Sequence, residues 1–195
     1  MQKEKNKKIF FLKKKIRKKS FLIRKQTSIN NYNASFNASK NFFKLFNITS
    51  KDIVGCYWPI NNELDTRPLI SILSLKKIKI ALPFIEKKKM LFKAWKVSEK
   101  LYYSKYKFYS PSQNSLTLQP NIIITPALAL DFNGNRIGYG AGFYDSYYNS
   151  NKTKTYIGYI YEKQIFNTLP FAKHDLKLNA IVTDNFIKKL DFNIQ

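Results

Sequence analysis

Between Asn121 and Leu130 the chain is almost continuously apolar, NIIITPALAL. Immediately beyond, residues 131–145 read DFNGNRIGYGAGFYD, setting an Arg, three glycines at alternate positions, paired aromatics and an Asp close together. The apolar run predicts a buried strand, and FYDSYY after the glycines can begin a helix. Arg136, Gly138, Gly140 and Gly142 read as a loop whose backbone amides can point at a ligand, because glycine alone accepts positive φ freely and leaves no side chain in the way. Strand, glycine loop and helix start are the parts of an anion site. The spacing is neither G-x-G-x-x-G nor G-x-x-x-x-G-K-[ST], so neither dinucleotide nor P-loop chemistry follows, and alternate glycines also occur in hairpins and bulges. Arg136 and Asp145 favour phosphate: a guanidinium can fork onto phosphate oxygens, and a carboxylate can hold the magnesium that accompanies a nucleotide.

Around this segment strands and helices alternate. A basic helix is predicted over about 10–25, followed by an Asn- and Ser-rich stretch, 27–40, of undetermined structure. Asp52–Pro59 reads as a strand. Pro68 is tolerated only in a first helical turn, so a helix is expected to start near Thr66 and run toward Lys76. KIALPFI and MLFKAW give two more strands, and KTYIGYIY and LNAIVTD two late ones. The pattern favours a layered α/β domain with a largely parallel or mixed sheet, spanning residues 1–195 as one unit.

Composition narrows the function classes. The formal charge is +23, but of 35 basic residues only Arg17, Arg24, Arg67 and Arg136 are Arg and the rest are Lys. Asn, Ile, Phe and Tyr are also abundant, and all have codons rich in A and T, so most of the excess reads as base-composition drift on solvated faces. No RNA-binding signature, zinc-finger spacing or helix-turn-helix pattern accompanies the charge, and no specific nucleic-acid partner is expected. No apolar stretch approaches membrane length, and Ile9–Leu12 is too short for a secretory signal core, so a cytoplasmic protein without a membrane partner is expected. The single cysteine, Cys56, reads as a small buried strand residue.

Three further features have both a functional and a plain reading. Lys13 and Arg17 share a helix face and can reach one anion, or simply form a solvated basic surface. Glu63, ahead of the helix predicted from near Thr66, can receive N–H groups of a substrate or merely favour the helix dipole. His174 is set aside as a loop histidine with nothing to fix its tautomer. Asp175 precedes a late strand, where it can approach Asp145 and complete a magnesium site.

Taken together these segments resemble the 5-formyltetrahydrofolate cyclo-ligase (methenyltetrahydrofolate synthetase) family from about Lys13 to Asp184. The most specific part is TPALALDFNGNRIGYGAGFYD; KKKIR, YWPINNELDT, ALP, MLFKAW and LPFAKHDLKLNAIVTD support it in order. The resemblance implies a three-layer α/β/α sandwich and an enzyme that cyclises 5-formyltetrahydrofolate to 5,10-methenyltetrahydrofolate with ATP and Mg²⁺, releasing ADP and phosphate; a monomer is expected. It implies ATP contacts from Lys13, Arg17, Arg136, Ile137, Gly138, Tyr139, Gly140, Ala141, Gly142, Phe143 and Tyr144. Folate contacts fall on Trp58, Glu63 and Tyr144, magnesium ligation on Asp145 and Asp175, and catalytic roles on Arg136 and Tyr144. In the family's chemistry the γ-phosphoryl group activates the formyl oxygen, nitrogen 10 attacks and phosphate leaves, so no protein nucleophile is needed. Three positions depart from the pattern. Ala141 stands where members carry Lys or Gly, and Ala127 and Leu130 stand where Gly and Phe are common; Ala127 matters if that backbone needs positive φ.

Overall fold

A computed structural model describes residues 2–190; the ends of the expected 1–195 unit, Met1 and 191–195, lie outside them. In chain order the elements are α1 (Gln2–Asn30), α2 (Ala34–Leu45), β1 (Ile53–Gly55), α3 (Arg67–Leu75), β2 (Lys79–Glu86), β3 (Lys89–Ala94), β4 (Tyr102–Tyr103), β5 (Tyr109–Ser110) and β6 (Thr117–Leu118). They continue with β7 (Ile122–Thr125), β8 (Ala129–Asp131), β9 (Arg136–Ile137), α4 (Phe143–Ser150), β10 (Thr155–Tyr159), β11 (Ile165–Phe166), β12 (Ala180–Val182) and β13 (Ile187–Lys189).

The main sheet has the order β13-β12-β10-β7-β1-β2-β3-β6. Its centre, β12-β10-β7-β1-β2, is parallel, and β13, β3 and β6 add antiparallel edges. Successive side chains of a strand point to opposite faces. Ile122 and Ile124 of β7 accordingly pack with α2 and α3, through Ala38, Phe42, Leu69, Ile70 and Leu73, while Ile123 packs on the other face with Leu130, Tyr147 of α4 and Leu178. Apolar strands need cover on both faces, and they have it; this is the three-layer α/β arrangement. Each fully buried Leu, Ile or Phe side chain contributes about 1.5–3 kcal/mol.

Two sequence expectations need correction. The apolar run is two strands, not one. Pro126 has no N–H to extend the ladder, so β7 stops at Thr125, and Ala129–Asp131 joins a separate three-stranded sheet, β11-β8-β9. The stretch 27–40 is largely helical. α1 runs from Gln2 to Asn30, longer than the predicted 10–25, and α2 follows after a short turn. Neither Gly nor Pro occurs before Gly55, so nothing breaks these helices, and Ala34, Ala38 and Phe42, spaced four apart, are buried. α3 begins where Pro68 requires, with Thr66 preceding the first turn.

The order of the central strands locates a cleft. From β1 the chain moves to β2 on one side, and later through β7 to β10 and β12 on the other, so the direction of winding reverses between β1 and β7. Ligands of open α/β sheets bind outside the carboxyl ends of the strands at such a point. Tyr57 and Trp58 after β1 and Pro126 after β7 line a cleft of about 1040 Å³ there.

Candidate functional site

The cleft wall most tightly specified by local sequence is the β8–β9 hairpin and the loop after it. Asp131, fully buried, accepts hydrogen bonds from the amides of Asn133 (3.0 Å), Asn135 (2.9 Å) and Leu169 (2.9 Å) and from the Asn135 side chain (2.9 Å). These bonds, with Gly134 at φ 74°, shape the turn that presents Arg136. The Arg136 Nη2 donates to Asp145 Oδ1 at 2.8 Å, and its guanidinium lies 5.7 Å from the Tyr144 ring centroid.

The three loop glycines serve different ends. Gly140 (φ 107°) and Gly142 (φ 73°) occupy the left-handed region that disfavours other residues. Gly138 does not; there a Cβ would sit 2.7 Å from Arg136 Nη1, so glycine makes room for the guanidinium. Gly142 directly precedes α4, and Asp145 lies in that helix's first turn. Ala127 has no positive φ, so Ala in place of Gly carries no backbone strain there, and Leu130 fills the space above Gly158.

α1 closes the cleft from the side. Lys13 forms an ion pair with Asp175, and Arg17 Nε donates to the Gly138 carbonyl at 2.9 Å. Asp175 Oδ2 also accepts the Ala172 amide at 2.6 Å, and Asp145 Oδ1 accepts the Leu176 amide at 3.0 Å. The two aspartates therefore reach one cleft from α4 and from the segment before β12. Asp145 Oδ2 and Asp175 Oδ1 make no hydrogen bond to other described residues. Among the described residues no group of three or more His, Cys, Asp or Glu side chains could hold a metal. Two carboxylates still suit magnesium, which takes one or two from protein and fills its shell with water and phosphate oxygens.

The remaining wall comes from the segment between β1 and α3. Glu63 is buried; its Oε2 accepts the Ile60 amide at 2.9 Å, and its Oε1 lies 3.8 Å from Arg24 Nη1. Burial raises its pKa from 4.5 to about 7, against the lowering effects of the Ile60 amide, Arg24 and Tyr139. Trp58 is half-buried and packs edge-on against Trp95, with ring centroids 5.6 Å apart. The Tyr144 hydroxyl is buried without a hydrogen-bond partner among the described residues, and burial, followed by the nearby Glu63, pushes its pKa up. Burial also pushes up the Cys56 thiol, which makes it a poor nucleophile.

All of the sequence-predicted site residues line this one cleft: Lys13, Arg17, Trp58, Glu63, every residue from Arg136 to Asp145, and Asp175. Within the set, Ile137 differs in character, since its side chain is buried in a small cluster with Ala129 and Leu169. Sequence reasoning gave no role to Arg24, which lies beneath the cleft, or to Tyr57 and the aromatics of the β4–β5 hairpin, Tyr106 and Phe108, which line it. A signal for Arg24 was present: only four basic residues are Arg, and three of them, Arg17, Arg24 and Arg136, lie at or under the cleft. The discounted His174 also reaches the cleft, but it is exposed. Among the described residues no helix is long and apolar enough to cross a membrane.

Comparison with known proteins gives a consistent result. A family profile described as the 5-formyltetrahydrofolate cyclo-ligase family matches residues 11–184. The chain is 31% identical over 139 residues to 5-formyltetrahydrofolate cyclo-ligase of Escherichia coli (strain K12), covering 67% of this chain and 76% of that one. It is 25% identical over 165 residues to the Haemophilus influenzae protein of the same name, covering 80% and 88%. Its fold matches the 5,10-methenyltetrahydrofolate synthetase of Aquifex aeolicus with a TM-score of 0.76 at 24% identity, over 94% and 95% of the two chains. The synthetase of Mycoplasma pneumoniae matches with a TM-score of 0.70 at 18% identity, over 89% and 99%.

Proposed function

This chain belongs to the 5-formyltetrahydrofolate cyclo-ligase family and is an enzyme of that activity, and we propose that it drives the ring closure with ATP and magnesium in the cleft described above. The observation that carries this reading is the convergence of three cations, Lys13, Arg17 and Arg136, and two carboxylates, Asp145 and Asp175, on the glycine loop, in the same cleft as the buried Glu63.

The formyl group of 5-formyltetrahydrofolate is an amide, and its oxygen is a poor leaving group. Transfer of the γ-phosphoryl group of ATP to that oxygen breaks the bond to ADP and makes an imidate phosphate. Nitrogen 10 then attacks the formyl carbon, phosphate leaves with the formyl oxygen, and the proton on nitrogen 10 is lost to phosphate or water. Phosphoryl transfer needs positioning and neutralised charge more than covalent help. Lys13, Arg17 and Arg136 supply fixed positive charge, and the loop amides around Gly140 and Gly142 supply dipoles that need not reorganise during reaction. Asp145 and Asp175 would hold magnesium, which adds charge neutralisation at the phosphates. Glu63 accepts N–H groups of the folate, and Trp58 and the Tyr144 ring offer it aromatic walls. The absence of an activated thiol or a buried catalytic histidine agrees with a route that uses no protein nucleophile.

The direct test is an absorbance assay for methenyltetrahydrofolate with purified protein, 5-formyltetrahydrofolate and ATP, with magnesium and with excess chelator. Product formation only with both ATP and magnesium is expected. Turnover independent of either, or none from folded protein, would refute the proposal.

A further inference from the structure

Arg24 is 1% exposed and does not line the cleft, yet it touches two of its walls. Its Nη2 donates to the Tyr139 hydroxyl of the glycine loop, and its Nη1 lies 3.8 Å from Glu63 Oε1. Its Nε and Nη1 have no hydrogen-bond partner among the described residues. A buried guanidinium with idle donors is costly unless its charge is compensated, and Glu63 is the carboxylate facing it. Tyr139 and Glu63 belong to segments 76 residues apart in the chain, and α1 supplies the charge that lies between them.

We propose that Arg24 is a positioning residue that keeps the Glu63 carboxylate in place as an acceptor for the cleft and, through Tyr139, fixes the glycine loop relative to it. Oε2 of Glu63 is engaged by the Ile60 amide, which leaves Oε1, the oxygen nearer Arg24, to receive folate N–H groups. The groups that face Glu63 are Arg24 from α1, Tyr139 from the glycine loop, Tyr144 from α4 and Tyr57 after β1. Arg24 is the one cation among them. Without it, burial acts on Glu63 with only hydroxyls and one amide to oppose it, and the protonated acid loses an acceptor for the substrate. The functional half of this inference rests on the folate reading above; the electrostatic half does not.

The test uses full-length protein labelled with ¹³C at glutamate Cδ, with E63Q identifying the Glu63 resonance. Arg24→Gln is expected to raise the Glu63 titration midpoint by about one unit or more. It should also raise the KM for 5-formyltetrahydrofolate near neutral pH by about tenfold with a smaller change in kcat. Arg24→Lys keeps a charge without the fork and should hold the midpoint within about half a unit of wild type. An unchanged midpoint in R24Q overturns the inference, and so does a midpoint in R24K that moves as far as in R24Q, since packing rather than charge would then govern the carboxylate. Should R24Q fail to fold, R24K and Tyr139→Phe decide. Tyr139 is an exposed loop residue, and loss of its hydroxyl should raise the KM for ATP and for folate together, while a change in ATP alone or in neither overturns the link between the walls. The titration needs neither substrate, so an inactive wild-type enzyme would refute the functional reading, and the R24Q midpoint would decide the electrostatic one separately.

Discussion

The face of the sheet under α2 and α3 and the cleft on its carboxyl edge treat buried polar groups in opposite ways. Under α2 and α3 each hydroxyl has a partner: Ser39 donates to Ser35 O at 2.7 Å, Tyr57 to Leu64 O at 2.7 Å, and Thr66 to Tyr57 O at 2.6 Å. Around the cleft, Arg24 Nε and Nη1, Arg136 Nε and the Tyr144 hydroxyl are buried with none among the described residues, and Ser20, one turn before Arg24, shares this condition. A buried donor without a partner costs about 1–3 kcal/mol. One region is closed on itself, and the other retains donors that only a ligand or a small rearrangement satisfies. The contrast separates a face whose polar groups are satisfied within the fold from a cleft whose buried donors are not.

Substitutions in the two regions should therefore fail in different assays. The largest effect is expected for Arg136→Ala, which removes a cation from the glycine loop: kcat should fall about 10³-fold or more while the far-UV spectrum is kept. Wild-type-like turnover would show that the Arg136 guanidinium takes no part in the reaction. Asp145→Asn follows, with a loss of magnesium-dependent turnover of about 10²-fold and the fold retained; normal activity at limiting magnesium would remove Asp145 from the metal site.

Glu63→Gln should raise the KM for folate about 10–100-fold, as expected for a lost hydrogen bond to a charged group, and leave the KM for ATP nearly unchanged. It also sharpens the stability side. The pKa of Glu63 in the folded protein is about 7, above its ordinary 4.5, so folding favours the protonated form. Wild-type stability attributable to this group is greatest below pH 4.5, declines as the pH rises to about 7 and is flat beyond. Urea unfolding of E63Q should lack that decline; an identical pH profile would show that Glu63 is not held by burial. Lys13→Ala should raise the KM for ATP about tenfold. Gly158→Ala tests the apolar packing on the face of the sheet opposite α2 and α3, where Leu130 and Leu178 lie with Tyr147 of α4. Its new Cβ would lie 2.5 Å from Leu130 Cδ1 and 2.8 Å from Leu178 Cδ1, both ends of flexible side chains. A loss of about 1–3 kcal/mol in unfolding free energy is expected, with both KM values unchanged.

The helix that carries Arg24 shows where legibility ended. Lys13, Arg17, Ser20, Arg24 and Thr27, spaced 4, 3, 4 and 3 residues apart, form the side of α1 that faces the protein, whereas Phe11, Leu22 and Ile29 face outward, with Phe11 56% and Leu22 61% exposed. Hydropathy predicts the reverse, because it weighs each side chain by its transfer from water and ignores what awaits it. What awaits Lys13 is Asp175, 162 residues away. The early helices and the break at Pro126 were legible in part. The absence of Gly and Pro before Gly55 and the Ala34, Ala38, Phe42 spacing were both present, but Asn and Ser, which favour turns, obscured them.

What the sequence determined by itself was local. The apolar strands, the helix start before Pro68, the glycine loop between Arg136 and Asp145, and the motif set matching residues 11–184 to one family all follow from neighbours in the chain. Tertiary structure alone decided that the chain reverses its winding between β1 and β7, that α1 turns its charged side inward, and that one guanidinium stands between Glu63 and Tyr139. The physical reason is that backbone preferences act over a few residues. The burial of a charge becomes tolerable only through groups that the fold brings from distant segments.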